Sequence, residues 1–506
     1  MIEFIRRRGF IIALILVLLI GFIIRIWNIS NNPAGFFCDE ASVGYNSYKI
    51  LTTGRDEWGV KLPIFFKAFG EYKNPLDIYA TTLPIAIFGL NEFSVRLTSI
   101  FFSMLTAITF YFIGRLIKNK YFGLLLTTLY LITPWSIHLS RINLEGFDIY
   151  LFLLLVSLYL LLNFLKHKKK KDIFLFSIFL GLSAYSYFPS RIVTPILAIE
   201  VFLYLITHFK NKKIIVSSFF IYIAFLLPLI FHFTSGGGLS RWQQVSLFNQ
   251  KDISPINKIV KSYWLHFSPD YLFVKGDIDM TGQFISRHSV RGVGELYLWQ
   301  APFIIIGLFL ALKNIKKLEN FYFIILLILY PVPSSITTDL TPQATRSLTG
   351  LLPLTYLTIL GLSATVALFK NKKIKNLVII LFLIIISFYF LNLLKIYKYY
   401  PSYSSDYWGW QYGPKEIVSY FKTNNKKYDD LYMAGDFNAP YIFLKFYDPE
   451  NSCQNCFIGG EDRYDHNKKQ LFAMTPFELS KISWKYKVLK IIQYPNKDTA
   501  FVIIEH

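Results

Sequence analysis

Apolar runs separated by short basic loops dominate the first 395 residues of this chain. A bilayer core about 30 Å thick needs about 20 mostly apolar residues per helix, and eleven segments come close to that length. With 54% hydrophobic and only 17% charged residues, the chain is too apolar to be soluble, and an all-α polytopic membrane protein is predicted. The predicted spans are residues 10–27, 96–115, 121–137, 147–165, 173–188, 191–207, 214–232, 297–312, 320–336, 347–369 and 377–395.

Lysine clusters follow every second predicted span, at residues 118–120, 166–171, 210–213, 313–317 and 370–375. Lys and Arg resist translocation, so these loops and the N-terminus are predicted to be cytoplasmic, as expected for a multi-pass protein of the plasma (inner) membrane. The net charge of +21 resides largely in such loops. It therefore does not indicate a nucleic-acid partner.

This alternation divides the chain into two predicted domains. Residues 1–397 form the transmembrane domain, with long external loops at 28–95 and 233–296. Residues 398–506 lie outside the membrane and are polar and tyrosine-rich. The second long loop is a candidate lid over the acceptor side of a site.

The C-terminal segment has the pattern of a small extracytoplasmic α/β domain. A helix is predicted at 414–423, opening at Pro414, with a strand around 429–434 and alternating apolar segments near 484–504. The three cysteines are too few to form a disulfide framework. In an oxidising compartment, Cys453 and Cys456 predict a structural disulfide, either with each other or shared with Cys38.

Charged residues that could carry chemistry collect in the first external loop. Asp39 and Glu40 follow the first span directly, and Lys73 comes later in the same loop. Carboxylates beside a membrane are readily solvated, so a wet loop without catalytic function is the alternative.

Three arginines lie at the predicted outer ends of spans: Arg141, Arg191 and Arg346. The positive-inside rule disfavours this placement, so an anionic group such as a lipid phosphate is expected to compensate their charge. The alternative is that each arginine snorkels or pairs with a nearby acid, for which Asp39, Glu145 and Asp339 are available.

Five short motifs, all on the predicted outer face, resemble those of one family. They are Cys38-Asp39-Glu40, residues 89–96 (GLNEFSVR), Ser140-Arg141, residues 184–191 (AYSYFPSR) and residues 342–346. In this order they resemble the bacterial protein O-mannosyltransferase and aminoarabinose-transferase superfamily. The resemblance covers about residues 1–400 and implies the GT-C membrane fold.

The resemblance also implies a reaction centre in the first external loop. There an acid, here Asp39, would deprotonate or orient an acceptor hydroxyl that attacks the anomeric carbon of a sugar. Glu40 would then be a neighbouring acid that orients the helix.

Cations would stabilise the departing polyprenyl phosphate. The candidates are, in order of preference, Arg191 and Arg346, then Lys73 and Arg141. Relatives often have Lys or His directly before the proline of the first loop, whereas this chain has Lys73-Asn74-Pro75, which weakens the assignment of Lys73.

Tyr185 and Tyr187 are placed to flank a sugar or the first isoprene unit, with the interfacial aromatic belt as the alternative. Some relatives bind a divalent ion. The external histidines, which are His138, His232, His266 and His288, lack metal-ligand spacing, so no obligatory metal is expected.

The sequence therefore predicts an inverting glycosyltransferase of the cell envelope. Its partners would be membrane lipids, a polyprenyl-phosphate-linked sugar donor, and an acceptor hydroxyl on a protein, lipid or glycan. A lipid-linked glycan polymerase or ligase is one alternative. A transporter is another, although the spans carry few midplane charges.

Overall fold

The structure, a computed structural model, describes residues 2–249, 255–277, 287–338 and 341–506. Helices form the membrane part, and a mixed β-sheet forms the C-terminal part. Within the described ranges the α-helices are α1 (Ile2–Ile26), α2 (Cys38–Thr53), α3 (Pro75–Phe88), α4 (Glu92–Ile117), α5 (Lys120–Ile132), α6 (Pro134–Leu139), α7 (Phe147–His167), α8 (Lys170–Ser183), α9 (Ser190–His208), α10 (Lys212–Thr234), α11 (Ser240–Val245), α12 (Pro255–Leu265), α13 (Ala301–Lys313), α14 (Leu318–Leu329), α15 (Val332–Ser335), α16 (Leu351–Leu368), α17 (Lys372–Ser404), α18 (Pro414–Asn424), α19 (Tyr441–Tyr447) and α20 (Pro476–Leu479).

Eight helical segments of the described residues are long and apolar enough to cross a membrane. They contain α1, α4, α7, α9, α10, α14 with α15, α16 and α17, so the predicted all-α polytopic class is confirmed. The other three predicted spans, 121–137, 173–188 and 297–312, overlap with the shorter helices α5, α8 and α13, of 13, 14 and 13 residues. The total of eleven spans stays a prediction.

Two of the lysine-rich loops meet at one end of the helix bundle. Lys166, Lys316 and Lys317 line one groove there, and the hydroxyl of Tyr204 donates to the carbonyl of Lys316 at 2.5 Å. This clustering is what the charge pattern predicts for one side of a membrane. Which side is cytoplasmic stays a prediction.

The first long loop is largely folded rather than irregular. It contains the helices α2 and α3 and an antiparallel hairpin of β1 (Phe66–Ala68) and β2 (Glu71–Lys73). The sequence analysis missed α3, an apolar 14-residue helix that opens with Pro75 at its first position.

The C-terminal residues form an α/β domain, as predicted, but α17 runs to Ser404, so residues 398–404 of the predicted domain belong to that helix. The domain's helix α18 and strand β3 (Asp430–Met433) lie where they were predicted. The remaining strands are β4 (Cys456–Ile458), β5 (Gln470–Met474), β6 (Lys487–Gln493) and β7 (Thr499–Glu505).

The strands form one sheet in the order β4-β3-β5-β7-β6. Strand β3 is parallel to both neighbours, whereas β7 is antiparallel to β5 and β6. Cys453 and Cys456 form a disulfide with each other, and the thiol of Cys38 is free and buried.

This domain packs directly on the first external loop. Gly44 of α2 faces the ring of Phe446, and a Cβ on Gly44 would lie 2.5 Å from that ring. The side-chain oxygen of Gln411 accepts a hydrogen bond from the backbone N–H of Cys38 at 2.7 Å. Lys445 pairs with the buried Glu57 at 3.0 Å. Contacts with the C-terminal domain therefore fix the position of the start of α2.

Candidate active site

The two acids that open α2 have opposite surroundings. Glu40 is fully buried and receives two hydrogen bonds, both of 2.9 Å, from the guanidinium of Arg96 on α4. It also accepts from the backbone N–H groups of Phe37 at 3.3 Å and Asn143 at 3.1 Å. A bidentate ion pair fixes geometry strongly, so Glu40 orients the first turn of α2 and leaves the neighbouring Asp39 to face the site.

Arg141 belongs to the same buried region. It is fully buried and donates to the carbonyl oxygens of Ile24, Arg25, Trp27 and Asn32, at the end of α1. The structure therefore does not bring Arg141 together with the other predicted phosphate ligands. Arg25 is also fully buried and donates to the hydroxyls of Ser103 and Ser136 and to the carbonyl of Leu131. We refer to Glu40, Arg96, Arg141 and Arg25 as the sealed network.

Asp39 pairs with Lys73, the last residue of β2. The ammonium nitrogen and carboxylate oxygen are 2.6 Å apart, and the side chains are 2% and 21% exposed respectively. Burial alone would raise the pKa of Asp39, but the Lys73 ammonium, helped by Arg287 and Arg241, holds that pKa below its ordinary value. The pKa of Lys73 is raised, since Asp39 and Glu145 outweigh the burial that would lower it. Asp39 is thus ionised, partly open and able to accept a proton.

Glu71 lies two residues before Lys73, on the same face of β2 because side chains alternate along a strand. Its carboxylate pairs with Arg241 at 2.8 Å. Burial and the nearby charge of Glu145 raise the pKa of Glu71 to about 7, although Arg241 and Lys73 act in the opposite direction. Glu71 therefore changes charge near neutral pH.

Arg191 extends from the first turn of α9 towards the same loop. It donates to the side-chain oxygen of Asn74 at 2.7 Å and lies over the rings of Phe188, Phe65 and Phe233 at 4.5, 5.5 and 5.7 Å from their centroids. Among the described residues, its Nε has no hydrogen-bond partner. This half-buried cation therefore retains donor capacity.

Arg191, Arg241 and Arg346 line one cavity of about 120 Å³. Arg346 donates to the hydroxyl of Thr337 at 2.6 Å. The described lining residues include no carboxylate, and the remaining walls are largely apolar, among them Phe188, Phe233, Trp242 and Ile336. Three guanidinium groups in an apolar cavity favour a phosphate or similar anion. We refer to Asp39, Lys73, Glu71, Arg191, Arg241 and Arg346 as the open cluster.

An apolar groove of about 500 Å³ lies beside this cavity, between the loop and the helices α8 and α10. Tyr185 lines it and donates its hydroxyl to the carbonyl of Phe225 at 2.6 Å. The ring of Phe65 stacks on Tyr185, with ring centroids 5.9 Å apart, and also lies 5.5 Å from the guanidinium of Arg191. Tyr187 instead is buried against Phe147 at 6.1 Å. Only Tyr185 of the predicted tyrosine pair reaches the groove.

No group of three or more His, Cys, Asp or Glu side chains within the described ranges could hold a metal ion. His232 stacks on Phe65 at 3.9 Å, and His288 lies 3.1 Å from Asp277. Metal dependence stays a prediction.

The sequence analysis did not assign roles to Glu71, Arg241 or Arg287, although each lies near Asp39 or Arg191. The two-residue spacing of Glu71 and Lys73 was the available signal. Arg287 lies 3.7 Å over the ring of Phe37, a placement with no sequence signal. Asp339, a candidate partner of the arginines, lies outside the described residues.

Comparison with known families gives one match within the chain. Residues 73–234 match the model of the dolichyl-phosphate-mannose-protein mannosyltransferase family. This segment begins at Lys73 and includes Arg141 and Arg191. No curated protein sequence matches the chain.

Two solved structures of ArnT from Cupriavidus metallidurans resemble the whole molecule. The apo structure has a TM-score of 0.59 at 11% identity, covering 99% of this chain and 98% of ArnT. ArnT bound to undecaprenyl phosphate has a TM-score of 0.55 at 11% identity, with 98% of each chain covered. The protein has the GT-C fold.

A third GT-C structure extends the likeness to a different kind of transferase. The archaeal oligosaccharyltransferase AglB from Archaeoglobus fulgidus, in complex with an inhibitory peptide and a dolichol-phosphate, has a TM-score of 0.53 at 12% identity, covering 87% of this chain and 64% of AglB. With the family match over residues 73–234, these likenesses support a membrane glycosyltransferase that uses a lipid-linked donor.

Proposed function

We propose that this protein is an inverting glycosyltransferase that moves a sugar from a polyprenyl-phosphate carrier to an acceptor hydroxyl outside the membrane. The observation that carries the proposal is the open cluster: an ionised, partly exposed Asp39 pairs with Lys73, and Glu71 on the same strand pairs with Arg241, one of three arginines that line a cavity. Asp39 suits a general base, and the three arginines suit a departing phosphate.

In the proposed reaction, the acceptor oxygen forms a bond to the anomeric carbon while the bond from that carbon to the phosphate oxygen breaks. The acceptor proton passes to the carboxylate of Asp39, and the bonding pair leaves with the polyprenyl phosphate. Because this is a single displacement, the anomeric configuration inverts. Lys73 keeps Asp39 ionised and in place.

Arg191 and Arg346, with Arg241, would neutralise the charge that develops on the departing phosphate. Lys73 pairs with Asp39 and directly precedes Asn74, which accepts the hydrogen bond from Arg191. Its ammonium would therefore lie between the base and the departing phosphate. Arg141, which is bound to backbone carbonyls, is not part of the proposed phosphate site.

The apolar groove would hold the first isoprene units of the carrier, with Tyr185 in its wall. Its lining suits a hydrocarbon chain, and the Phe65 ring lies between the groove and Arg191. The site and the C-terminal domain would face the extracytoplasmic side, with the N-terminus in the cytoplasm. The acceptor would be a protein, lipid or glycan hydroxyl.

The decisive experiment measures release of free polyprenyl phosphate by the full chain in lipid nanodiscs. Synthetic polyprenyl-phosphate mannose, glucose and arabinose serve as donors, together with an envelope extract as the acceptor source. We expect one donor to turn over and Asp39→Asn to abolish the release. The matched control is Asp462→Asn, because Asp462 is 69% exposed in the C-terminal domain. No consumption of any donor, or full activity of Asp39→Asn, contradicts the proposal.

A further inference from the structure

Helix α12, in the second long loop, carries an exposed apolar stripe. Ile256, Val260 and Trp264 are 67%, 51% and 65% exposed. They are spaced four residues apart, so they lie one above another on a single face of the helix. A stripe of this size on a water-facing helix would be costly to hydrate.

The other faces of α12 have different surroundings. Ser262 is buried, and His266, just past the helix, is also buried, so this side packs on the protein. Lys258 and Lys261 lie on a third, exposed face. A helix with one protein face, one apolar exposed face and one basic face matches an element that lies in a lipid interface.

Two hydrogen bonds fix the depth of α12 along the bundle. The hydroxyl of Tyr263 donates to the carbonyl of Ile328 at 3.0 Å, and the hydroxyl of Tyr330 donates to the carbonyl of His266 at 2.7 Å. Ile328 lies near the end of α14 and is itself 50% exposed. The candidate span that contains α14 continues through α15 to Ser335, and α12 also packs on α15. The apolar stripe therefore lies beside the last part of a candidate span, near its exposed Ile328.

We propose that α12 lies in the lipid interface on the side of the membrane that bears the open cluster. Ile256, Val260 and Trp264 insert among the upper acyl chains, and Lys258 and Lys261 reach lipid phosphates. The occupant of this face is the bilayer surface itself. Trp264, whose ring contacts Tyr263 and Phe267, fits the aromatic belt of such an interface.

The proposal gives α12 a link to the site. α12 packs on α15, and the residue two past the end of α15, Thr337, accepts the hydrogen bond from Arg346. Lipid contact would thus steady the segment that positions one cavity arginine.

The test uses nitroxide labels at Val260→Cys and at the adjacent Lys261→Cys, in nanodiscs of phosphatidylethanolamine and phosphatidylglycerol. The native thiol of Cys38 is buried and the other two cysteines are in a disulfide, so background labelling is low. Phe388→Cys on α17, 69% exposed, gives the lipid reference. Lys426→Cys, on an exposed loop of the C-terminal domain, gives the water reference.

We expect the label at 260 to collide with dissolved oxygen, as at Phe388, and the label at 261 to collide with a water-soluble nickel reagent, as at Lys426. Equal access of both labels to the nickel reagent overturns the proposal.

A second measurement needs no label. Brominated lipids should quench the fluorescence of the wild-type protein more than that of Trp264→Phe. Equal quenching of the two proteins would also overturn the proposal.

Discussion

The sealed network and the open cluster lie at the same end of the bundle and are rich in the same residue, arginine. In the sealed network, Arg96 uses its donors on the carboxylate of Glu40 and on three backbone carbonyls. In the open cluster, Arg191 has aromatic rings as neighbours and one amide oxygen as its hydrogen-bond acceptor. What separates a structural arginine from a candidate ligand-binding one here is where its N–H groups point and how far it is buried, since Arg96 and Arg141 are fully buried and Arg191 is half-buried.

The neighbouring acids of α2 give the sharpest test of this division. Asp39→Asn removes the proposed base, so we expect kcat to fall by about 10²–10⁴-fold. The fall in Tm should be smaller than for Glu40→Gln, because Asp39 is partly exposed although its partner Lys73 is buried. Turnover in nanodiscs and thermal unfolding in detergent check the two parts. An unchanged kcat would show that Asp39 is not the base.

Glu40→Gln should show the reverse balance. Breaking a buried ion pair by changing one partner costs about 3–5 kcal/mol, because the other charge stays buried. We expect a large drop in Tm, and loss of activity only as far as α2 moves. A normal Tm for Glu40→Gln would show that the sealed network does not hold the fold.

Arg191 tests the phosphate side of the comparison. Arg191→Met should reduce kcat/KM by about 10²-fold, since a donor to a developing anion is lost. Arg191→Lys should recover part of that loss, because it restores charge without the planar fork. Arg141→Lys is the matched control from the sealed network, and it should reduce Tm more than donor binding. If the two lysine variants reduce donor binding equally, Arg191 and Arg141 do not differ in their role towards the donor phosphate.

The smallest expected effect is a pH dependence due to Glu71. Since the pKa of Glu71 is raised to about 7, its carboxylate is neutral below that pH and negative above it. The negative form repels the donor phosphodiester and engages Arg241, so the KM for the donor should rise by about fivefold between pH 6 and pH 8, roughly 1 kcal/mol. Glu71→Gln should flatten this rise. A KM that rises equally in the variant assigns the effect to another group.

The sequence predicted the fold class well because hydrophobic run length and lysine placement are local properties. The positions of α18 and β3 followed from equally local patterns. The helix α3 was missed, since its 14 residues are short for a span and lie within a polar loop. The predicted span 121–137 is divided into α5 and α6 by a break at Thr133–Pro134.

The site was partly predictable, for a related reason. The motif around Asp39 and the position of Arg191 at the start of α9 can be read along the chain. That Arg141 turns towards the end of α1, whereas Arg191 turns into a cavity, depends on contacts between residues more than a hundred positions apart. No local pattern encodes such a direction.

The hydrogen bond from Cys38 to Gln411 joins residues 373 positions apart. A ribosome adds about 5–20 residues per second. The helix that carries Asp39 is therefore synthesised roughly twenty seconds to more than a minute before Gln411, to which it is hydrogen-bonded. The first loop is thus among the earliest parts to emerge and among the last to be completed. A nascent or truncated chain would have its spans inserted while its reaction centre was still unfinished, which couples the onset of activity to completion of synthesis.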